Sequence, residues 1–341
     1  MKQLKKMVLY LIFLPLVFLY SNETRFVTDT FGNKIEIPYS VTKVAPLIPA
    51  FAQMTCMLGH QDDIVASRVI FSDMFHKVFP GVKKANPNNM LSTNVETLIA
   101  SGAQVAYGPT SFFMNDIQKN QLKKANVAVV DISNFATIEG MKSCISSIAQ
   151  ILGKDAIEKA DKFNAYYEQN MEKIRNRTQN LINKPTVLLL GFSAGNYRVS
   201  NGRDISSVYA NTAGGINVAQ NLELGGSSFV LQVNTEQILT YNPDIIIASS
   251  NEAKERVLSE KAFKDIKAIK TKSVYVTPSG VFIWSARSAE GALQPLWLAT
   301  KFYPEKFSDI NMEQEVKFFY KTFYNYELNE EELNSILFPK K

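Results

Sequence analysis

Histidine and cysteine are scarce in this sequence of 341 residues, which contains two of each. The histidines, His60 and His76, are not at i, i+4 spacing, and the cysteines are far apart, so the spacing of a protein-only metal site is missing. His60 follows Leu58-Gly59 at a predicted helix end, where a capping role is expected. His76 lies in a predicted loop that could face a cleft, which makes it a candidate ligand contact.

The two cysteines, Cys56 and Cys144, both lie within apolar helical patterns. This placement predicts buried thiols, because unpaired cysteine behaves as a small apolar residue. An oxidising compartment would permit a disulfide between them, but sequence spacing does not place the two residues within bonding distance.

The sequence also lacks an apolar run long enough to cross a bilayer. The longest, residues 7–20, is short of the roughly 20 residues that a spanning helix needs. It follows a segment with three lysines and precedes polar residues, the layout of a secretory signal peptide. We therefore predict a signal peptide at 1–20 and a periplasmic location. The cleavage site matches the small-x-small rule poorly and no cysteine near position 20 could accept lipid, so an uncleaved anchor is the alternative.

No block of basic residues is present, although the formal net charge is +5. Residues 1–20 contain three of the 37 basic side chains and none of the 32 acidic ones, so the remainder has a net charge of about +2. A nucleic-acid partner is therefore not expected.

Short strand-like runs alternate with amphipathic helical stretches along the chain, which predicts βα units around mainly parallel sheets. A small hairpin is expected at 26–38. The predicted strands are 43–45, 63–66, 104–107 and 127–132 in the first half and 186–190, 244–248 and 273–276 in the second.

One long helix is predicted between the two halves, at 155–183. Its apolar side chains form a single stripe, Asp155 and Glu158 form a capping-box start, and Asn183 with Pro185 form a stop. Such a helix would span about 40 Å and would permit only small closing movements. The predicted division is a signal peptide at 1–20, an N-terminal lobe at 21–154, the linking helix, and a C-terminal lobe at 184–341.

A partial repeat relates the halves at a constant offset of 140 residues. The helix containing Glu96 precedes the strand at Val105 as the helix containing Glu236 precedes the strand at Ile245. Both glutamates lie in a first helical turn, where a carboxylate stabilises the helix dipole. Matched carboxylates on two lobes could also meet basic pockets on a two-fold symmetric partner.

An enzyme-like motif, Gly191-Phe192-Ser193-Ala194-Gly195, directly follows a predicted strand. In a serine hydrolase this nucleophile elbow must open a helix and be followed by a later histidine. Here a strand and turn pattern follows, and both histidines are upstream. A secreted hydrolase that uses Ser193 is therefore only the alternative, and we predict no catalytic residue.

Arginines and aromatic residues cluster in segments that follow predicted strands, where open α/β sheets bind ligands. Individually each could form a surface ion pair or cover the core. Together they suit a flat anionic ligand. The residues are Arg68, Tyr107, Phe112, Tyr197, Arg198, Trp284 and Arg287.

Several motifs resemble the helical-backbone, class III periplasmic substrate-binding proteins of ABC importers for siderophores, haem and cobalamin. The resemblance covers residues 25–325, and its motifs are Lys43-Val44-Ala45, Asn94-Val95-Glu96-Thr97-Leu98, Gly214-Gly215-Ile216-Asn217, Glu236-Gln237-Ile238-Leu239 with Asn242-Pro243-Asp244-Ile245-Ile246-Ile247, and Ser273-Val274-Tyr275. The segment 278–307 is similar to a branch for iron chelates, some members of which take nickel chelates or molybdate.

The resemblance implies two Rossmann-like lobes with a ligand cleft between them, bridged by one long helix. It implies a monomeric receptor that delivers a ferric siderophore or nickel chelate to a permease dimer with its ATPase subunits, without a covalently bound cofactor. Haem, cobalamin and molybdate are the alternative ligands. Glu96 and Glu236 match the family's permease-docking positions, and the expected ligand contacts include Arg68, His76, Tyr107, Tyr197, Arg198, Trp284 and Arg287.

Overall fold

A computed structural model describes residues 23–67, 72–85, 94–223 and 228–339. These residues form two α/β lobes joined by one long helix, as predicted from the sequence. Within the described ranges, no helix combines the length and the apolar character that a membrane crossing requires. The signal peptide predicted at 1–20 and Arg68 lie outside the described residues.

The N-terminal lobe opens with an antiparallel hairpin, β1 (Thr24–Thr28) and β2 (Lys34–Pro38). A parallel sheet follows, in the order β3 (Val44–Pro46), β4 (Val105–Gly108) and β5 (Ala128–Asp131). The predicted strand at 63–66 is wrong in extent, because only Ile64 forms a single bridge to Val44. The helices are α1 (Pro49–Met57), α2 (Asp73–Val78), α3 (Gly81–Ala85), α4 (Val95–Ala100), α5 (Thr110–Phe113), α6 (Asp116–Lys124) and α7 (Ile138–Leu152).

The linking helix α8 is Lys154–Thr178, so it ends five residues before the predicted stop. The predicted capping box at Asp155 is wrong: Gly153 precedes the first turn, and the Asp155 carboxylate lies 3.5 Å from Nε2 of His60 instead. The His60 amide caps α1 as predicted, by donating to the Thr55 carbonyl at 3.1 Å, and its ring pairs with Asp63 at 2.7 Å.

Ion pairs fix α8 to both lobes. Lys142 of α7 contacts Glu168 at 2.6 Å, and Arg177 contacts both carboxylate oxygens of Asp309 at 2.6 and 2.9 Å. The apolar stripe of α8 packs inward, as its spacing predicts. Its buried members include Ala160, Phe163, Tyr167, Met171 and Ile174. The helix is therefore a stiff connection between the lobes.

The sheet of the C-terminal lobe has six strands, β6 (Thr186–Ser193), β7 (Asn196–Ser200), β8 (Ile216–Asn217), β9 (Val230–Val233), β10 (Ile245–Ala248) and β11 (Val274–Val276). The order is β11-β10-β6-β7-β9, and β8 pairs with the start of β6. Strands β6, β8, β10 and β11 are parallel, whereas β7 is antiparallel to both of its neighbours.

The helices of this lobe are α9 (Ile205–Thr212), α10 (Thr235–Tyr241), α11 (Asn251–Ser259), α12 (Lys267–Lys270), α13 (Gln294–Phe302), α14 (Met312–Phe319) and α15 (Glu330–Leu337). The offset of 140 is structural: β4 and β10 match residue for residue, and α4 and α10 both precede their strand. Asn94 caps α4 by accepting from the Thr97 amide, and Asn234 caps α10 in the same way through Gln237.

The C-terminal segment also connects the lobes. Gln53 of α1 donates to the Tyr324 hydroxyl at 2.7 Å, and its side-chain oxygen accepts from the Ala289 amide at 3.0 Å. The rings of Phe79 and Tyr324 meet edge to face, 5.0 Å apart. Tyr324 therefore completes part of the interior of the N-terminal lobe.

Candidate ligand-binding cleft

A cavity of about 390 Å³ opens in the C-terminal lobe where β6 and β10 end. Ligands of open α/β sheets bind at this edge, because the loops that follow the carboxyl ends of parallel strands converge there. The cavity wall combines apolar strand residues with hydroxyl groups and two arginines. Its polar lining residues are Ser193, Arg198, Ser200, Asp204, Ser206, Ser249, Thr277, Ser285, Arg287 and Gln294.

Arg198 enters the cavity from β7. Neighbouring residues of a strand point to opposite faces, so Tyr197 lies on the other side, buried against Phe263. The Nε of Arg198 is buried without a hydrogen-bond partner in the described part of the chain. A guanidinium left unsatisfied in this way provides binding capacity for an external acceptor.

Arg287 reaches from the C-terminal lobe to the N-terminal lobe. Its Nε donates to the carbonyl oxygen of Phe135 at 3.1 Å. Its guanidinium carbon lies 5.5 Å from the Phe135 ring centre and 5.4 Å from that of Phe229. Neither phenylalanine was predicted from the sequence. Phe135 could have been found, because it follows strand β5 and the predicted contacts were chosen for following strands.

One acidic residue, Asp204, also lines the cavity. Its carboxylate caps α9 by accepting from the Ser206 amide at 2.9 Å and from the Ser206 hydroxyl. Two guanidinium groups, those of Arg198 and Arg287, against this one carboxylate give the cavity lining a net positive charge.

Three predicted aromatic contacts are core residues instead. Tyr107 is fully buried with its hydroxyl hydrogen-bonded to Thr55, and burial raises its pKa far above the ordinary value. Trp284 is fully buried, and Tyr197 donates to the Arg256 carbonyl at 3.4 Å. A buried ring reaches a ligand only if the core opens, so these residues are not included in the proposed binding set.

Two further candidates lie outside the cavity wall. Phe112 is 76% exposed on α5. His76 lies on α2 rather than in the predicted loop, and burial, with the nearby charge of Lys83, lowers its pKa. Helix α2 contacts the opposite lobe where the Ser72 hydroxyl donates to the Val281 carbonyl at 3.3 Å.

Ser193 does not have the setting of a nucleophile. It is the last residue of β6 and pairs with Asn196 across a tight turn. In this turn Ala194 and Gly195 have φ angles of 51° and 78°, so the chain reverses into β7 instead of opening a helix. Both histidines lie in the N-terminal lobe and neither lines the cavity.

The remaining predicted residues are placed as follows. Glu96 and Glu236 are exposed at matched positions in α4 and α10, and within the described residues neither carboxylate forms an ion pair. Cys56 and Cys144 are both free and buried, as predicted. Burial raises both thiol pKa values, that of Cys144 to about 12.

A family model described as "Periplasmic binding protein" matches residues 44–281. The molybdate-binding protein MolA of Haemophilus influenzae is 24% identical over 331 residues, which cover 88% of this chain and 91% of that protein. A periplasmic solute binding protein from Veillonella parvula superposes with a TM-score of 0.78 at 24% identity, over 92% of this chain and 97% of that one. CeuE of Helicobacter pylori, solved with nickel bound, superposes with a TM-score of 0.69 at 24% identity, over 92% of this chain and 100% of that one.

Proposed function

This chain belongs to the periplasmic binding protein family, and we propose that within this family it captures an anionic metal chelate, a ferric siderophore or a nickel chelate. Members of the family bind substrates for ABC transporters and are not enzymes. The chain accordingly serves a permease and its ATPase and carries out no reaction on its ligand.

The pairing of Arg198 with Arg287 in one cavity is the observation that supports an anionic ligand. Neither guanidinium forms an ion pair among the residues that the structure describes, and the Nε of Arg198 has no acceptor. Burying unpaired cations is costly, so an arriving anion gains charge-assisted hydrogen bonds worth roughly 1.5–3 kcal/mol each. The carboxylate, catecholate or hydroxamate oxygens of a chelate are suitable acceptors.

The cross-lobe contact of Arg287 supports ligand capture between the lobes. Because Nε is used by Phe135, the two terminal nitrogens of the guanidinium remain to grip the ligand. The rings of Phe135 and Phe229 flank the guanidinium and offer flat apolar surface beside it. A chelate with an anionic edge and a planar organic part matches this combination.

Molybdate is the second candidate. The cavity is compact, and four of its lining residues carry a hydroxyl that can donate to a tetrahedral oxyanion: Ser193, Ser200, Ser249 and Ser285. The similarity to MolA extends over most of both chains. A cavity wall that offers several hydroxyl donors suits a small oxyanion better than a bulky chelate.

The test is a ligand panel with two arginine variants. Isothermal titration against ferric siderophores, nickel chelates, molybdate, haem and cobalamin, with native mass spectrometry of protein from its own periplasm, identifies the ligand class. Arg198→Ala and Arg287→Ala should each weaken binding about tenfold or more. Arg175→Ala on α8, outside the cavity, is the control. A ligand that binds both cavity variants as tightly as the native protein contradicts the proposed site.

Delivery to the permease is proposed to use Glu96 and Glu236. Both carboxylates are exposed, and they occupy the same position of the same helix in each lobe. A permease built from two equivalent subunits could meet both with the same basic group. Export through the N-terminal segment 1–20 is part of the proposal, with an uncleaved anchor as the alternative.

A further inference from the structure

An exposed apolar residue lies one helical turn after each of the two glutamates. Ile99 follows Glu96 on α4 and is 41% exposed, and Leu239 follows Glu236 on α10 and is 38% exposed. Residues three apart on a helix are neighbours on one face. Each lobe therefore presents a carboxylate beside an aliphatic side chain.

The two helices match in every environment along their length. From Asn94 to Ala100 and from Asn234 to Thr240, exposed, half-buried and buried positions follow the same order. Core packing explains the buried pair, Leu98 and Ile238, but it does not require an apolar residue at the next position, which points outward. Single exposed aliphatic residues are ordinary on protein surfaces. Their ordinary occurrence does not explain why a large aliphatic residue is exposed at the same position in both halves of the repeat.

We infer that Ile99 and Leu239 form the apolar half of a permease-docking surface. This surface consists of Glu96 with Ile99 on one lobe and Glu236 with Leu239 on the other. It fits a partner with two equivalent loops, each of which offers a basic side chain next to an apolar one. The inference rests on the proposed docking role of the glutamates and adds the residues that supply contact area beside the charge.

The topology supports a two-fold partner. The order β3-β4-β5 in the first lobe corresponds to β6-β10-β11 in the second, and α4 and α10 lead into the central strands β4 and β10. The two half-surfaces thus occupy equivalent places on the lobes. In a symmetric pair of this chain that used the surface, acidic half-sites would oppose acidic half-sites, so charge favours the permease over a second copy.

The experiment measures docking and ligand binding separately. The purified permease–ATPase complex of the same membrane is placed in nanodiscs, and its affinity for Ile99→Ser, Leu239→Ser and the double variant is measured by biolayer interferometry. Each single change should weaken docking roughly fivefold to tenfold and the double change more, while ligand affinity stays unchanged. Leu258→Ser on α11, an aliphatic residue that is 48% exposed and lies outside α4 and α10, is the control.

The double variant Glu96→Ala, Glu236→Ala in the same assay separates the two proposals. Docking by the double serine variant within twofold of native overturns the inference, even when the glutamate variant fails to dock. Weak docking by the serine variant with normal docking by the glutamate variant supports the apolar surface and removes the glutamates from it. A native dimer in sedimentation that dissociates in the serine variant would assign the surface to a second copy and overturn the permease partner.

Discussion

Arg287, which lines the cavity, joins the two lobes through a hydrogen bond of 3.1 Å from its guanidinium Nε to the main-chain carbonyl of Phe135. On the N-terminal lobe, the acceptor of this bond is a main-chain carbonyl and not a side chain. Its strength therefore depends on lobe position and not on the identity of residue 135. This arrangement couples the approach of the lobes to the orientation of a cation that lines the cavity.

Replacing Arg287 tests this coupling. Arg287→Ala should weaken ligand binding about tenfold or more, because a charge-assisted contact and the inter-lobe bond are lost together. Arg287→Lys should be intermediate, since a lysine keeps the charge but cannot donate to Phe135 and grip the ligand as a fork. Isothermal titration measures both, and unchanged affinity in the alanine variant would remove Arg287 from the site.

The double variant Glu96→Ala, Glu236→Ala should separate transport from binding. Ligand affinity in solution should stay normal, because both carboxylates lie outside the cavity. Uptake into vesicles that contain the permease should be lost, because each substitution leaves a basic group of the permease without its partner. Normal uptake, or affinity lost together with uptake, would refute the docking role.

The helix caps Asn94 and Asn234 should each contribute to stability. Asn94→Ala and Asn234→Ala each remove one side-chain acceptor from an otherwise unpaired amide, and each should cost about 1 kcal/mol of unfolding free energy. Urea unfolding measures the loss. Asn94→Asp and Asn234→Asp retain the acceptor and should stay near native; a large loss in the aspartate variants would show that the amide group has another role.

Glu290 should make stability depend on pH. It is fully buried and accepts from the amides of Val281 and Phe282, and burial raises its pKa from 4.5 to about 7. The folded state then holds a proton that the unfolded state releases, so stability falls as pH rises between about 4.5 and 7, by roughly 3 kcal/mol in total.

Glu290→Gln is the matched variant because glutamine does not titrate. Its oxygen can accept from the Phe282 amide, and its NH2 group can donate to the Tyr320 hydroxyl, which still accepts from the Val281 amide. Urea unfolding at several pH values from 5 to 8 should show a declining free energy for the native protein and a flatter curve for the variant. Parallel curves would mean that another group causes the dependence.

Most strands and the repeat could be predicted from the sequence because they depend on local pattern, although β8 and β9 were not predicted and the segment 63–66 forms only one bridge. The strand at Ile245 is a short β-branched run and its counterpart at Val105 is a short apolar one, and the offset of 140 relates them directly. The limits of α8 were less accurate, since Asp155 can cap a helix or pair with His60, and only the tertiary structure decides between them.

The cavity was only partly predictable. Arg198 and Tyr197 are adjacent on one strand. The sequence does not show the register of this strand, and the register decides which of the two side chains faces the cavity. Tyr107 lies in a strand and Trp284 follows one, but both side chains are buried in the core. Burial of their apolar surface there stabilises the fold more than a position at a cleft would. Phe135 joins Arg287 only after the lobes meet, a contact between residues 152 positions apart.

The hydrogen bond between Gln53 and Tyr324 spans 271 residues and sets an order on folding. The interior of the first lobe stays incomplete until the end of the chain has been synthesised and has returned to it. Contacts so distant in sequence slow folding, because a large loop must close before they form. Under the proposed export, a chain that reached the membrane before residue 324 was available would therefore still have an incomplete first lobe.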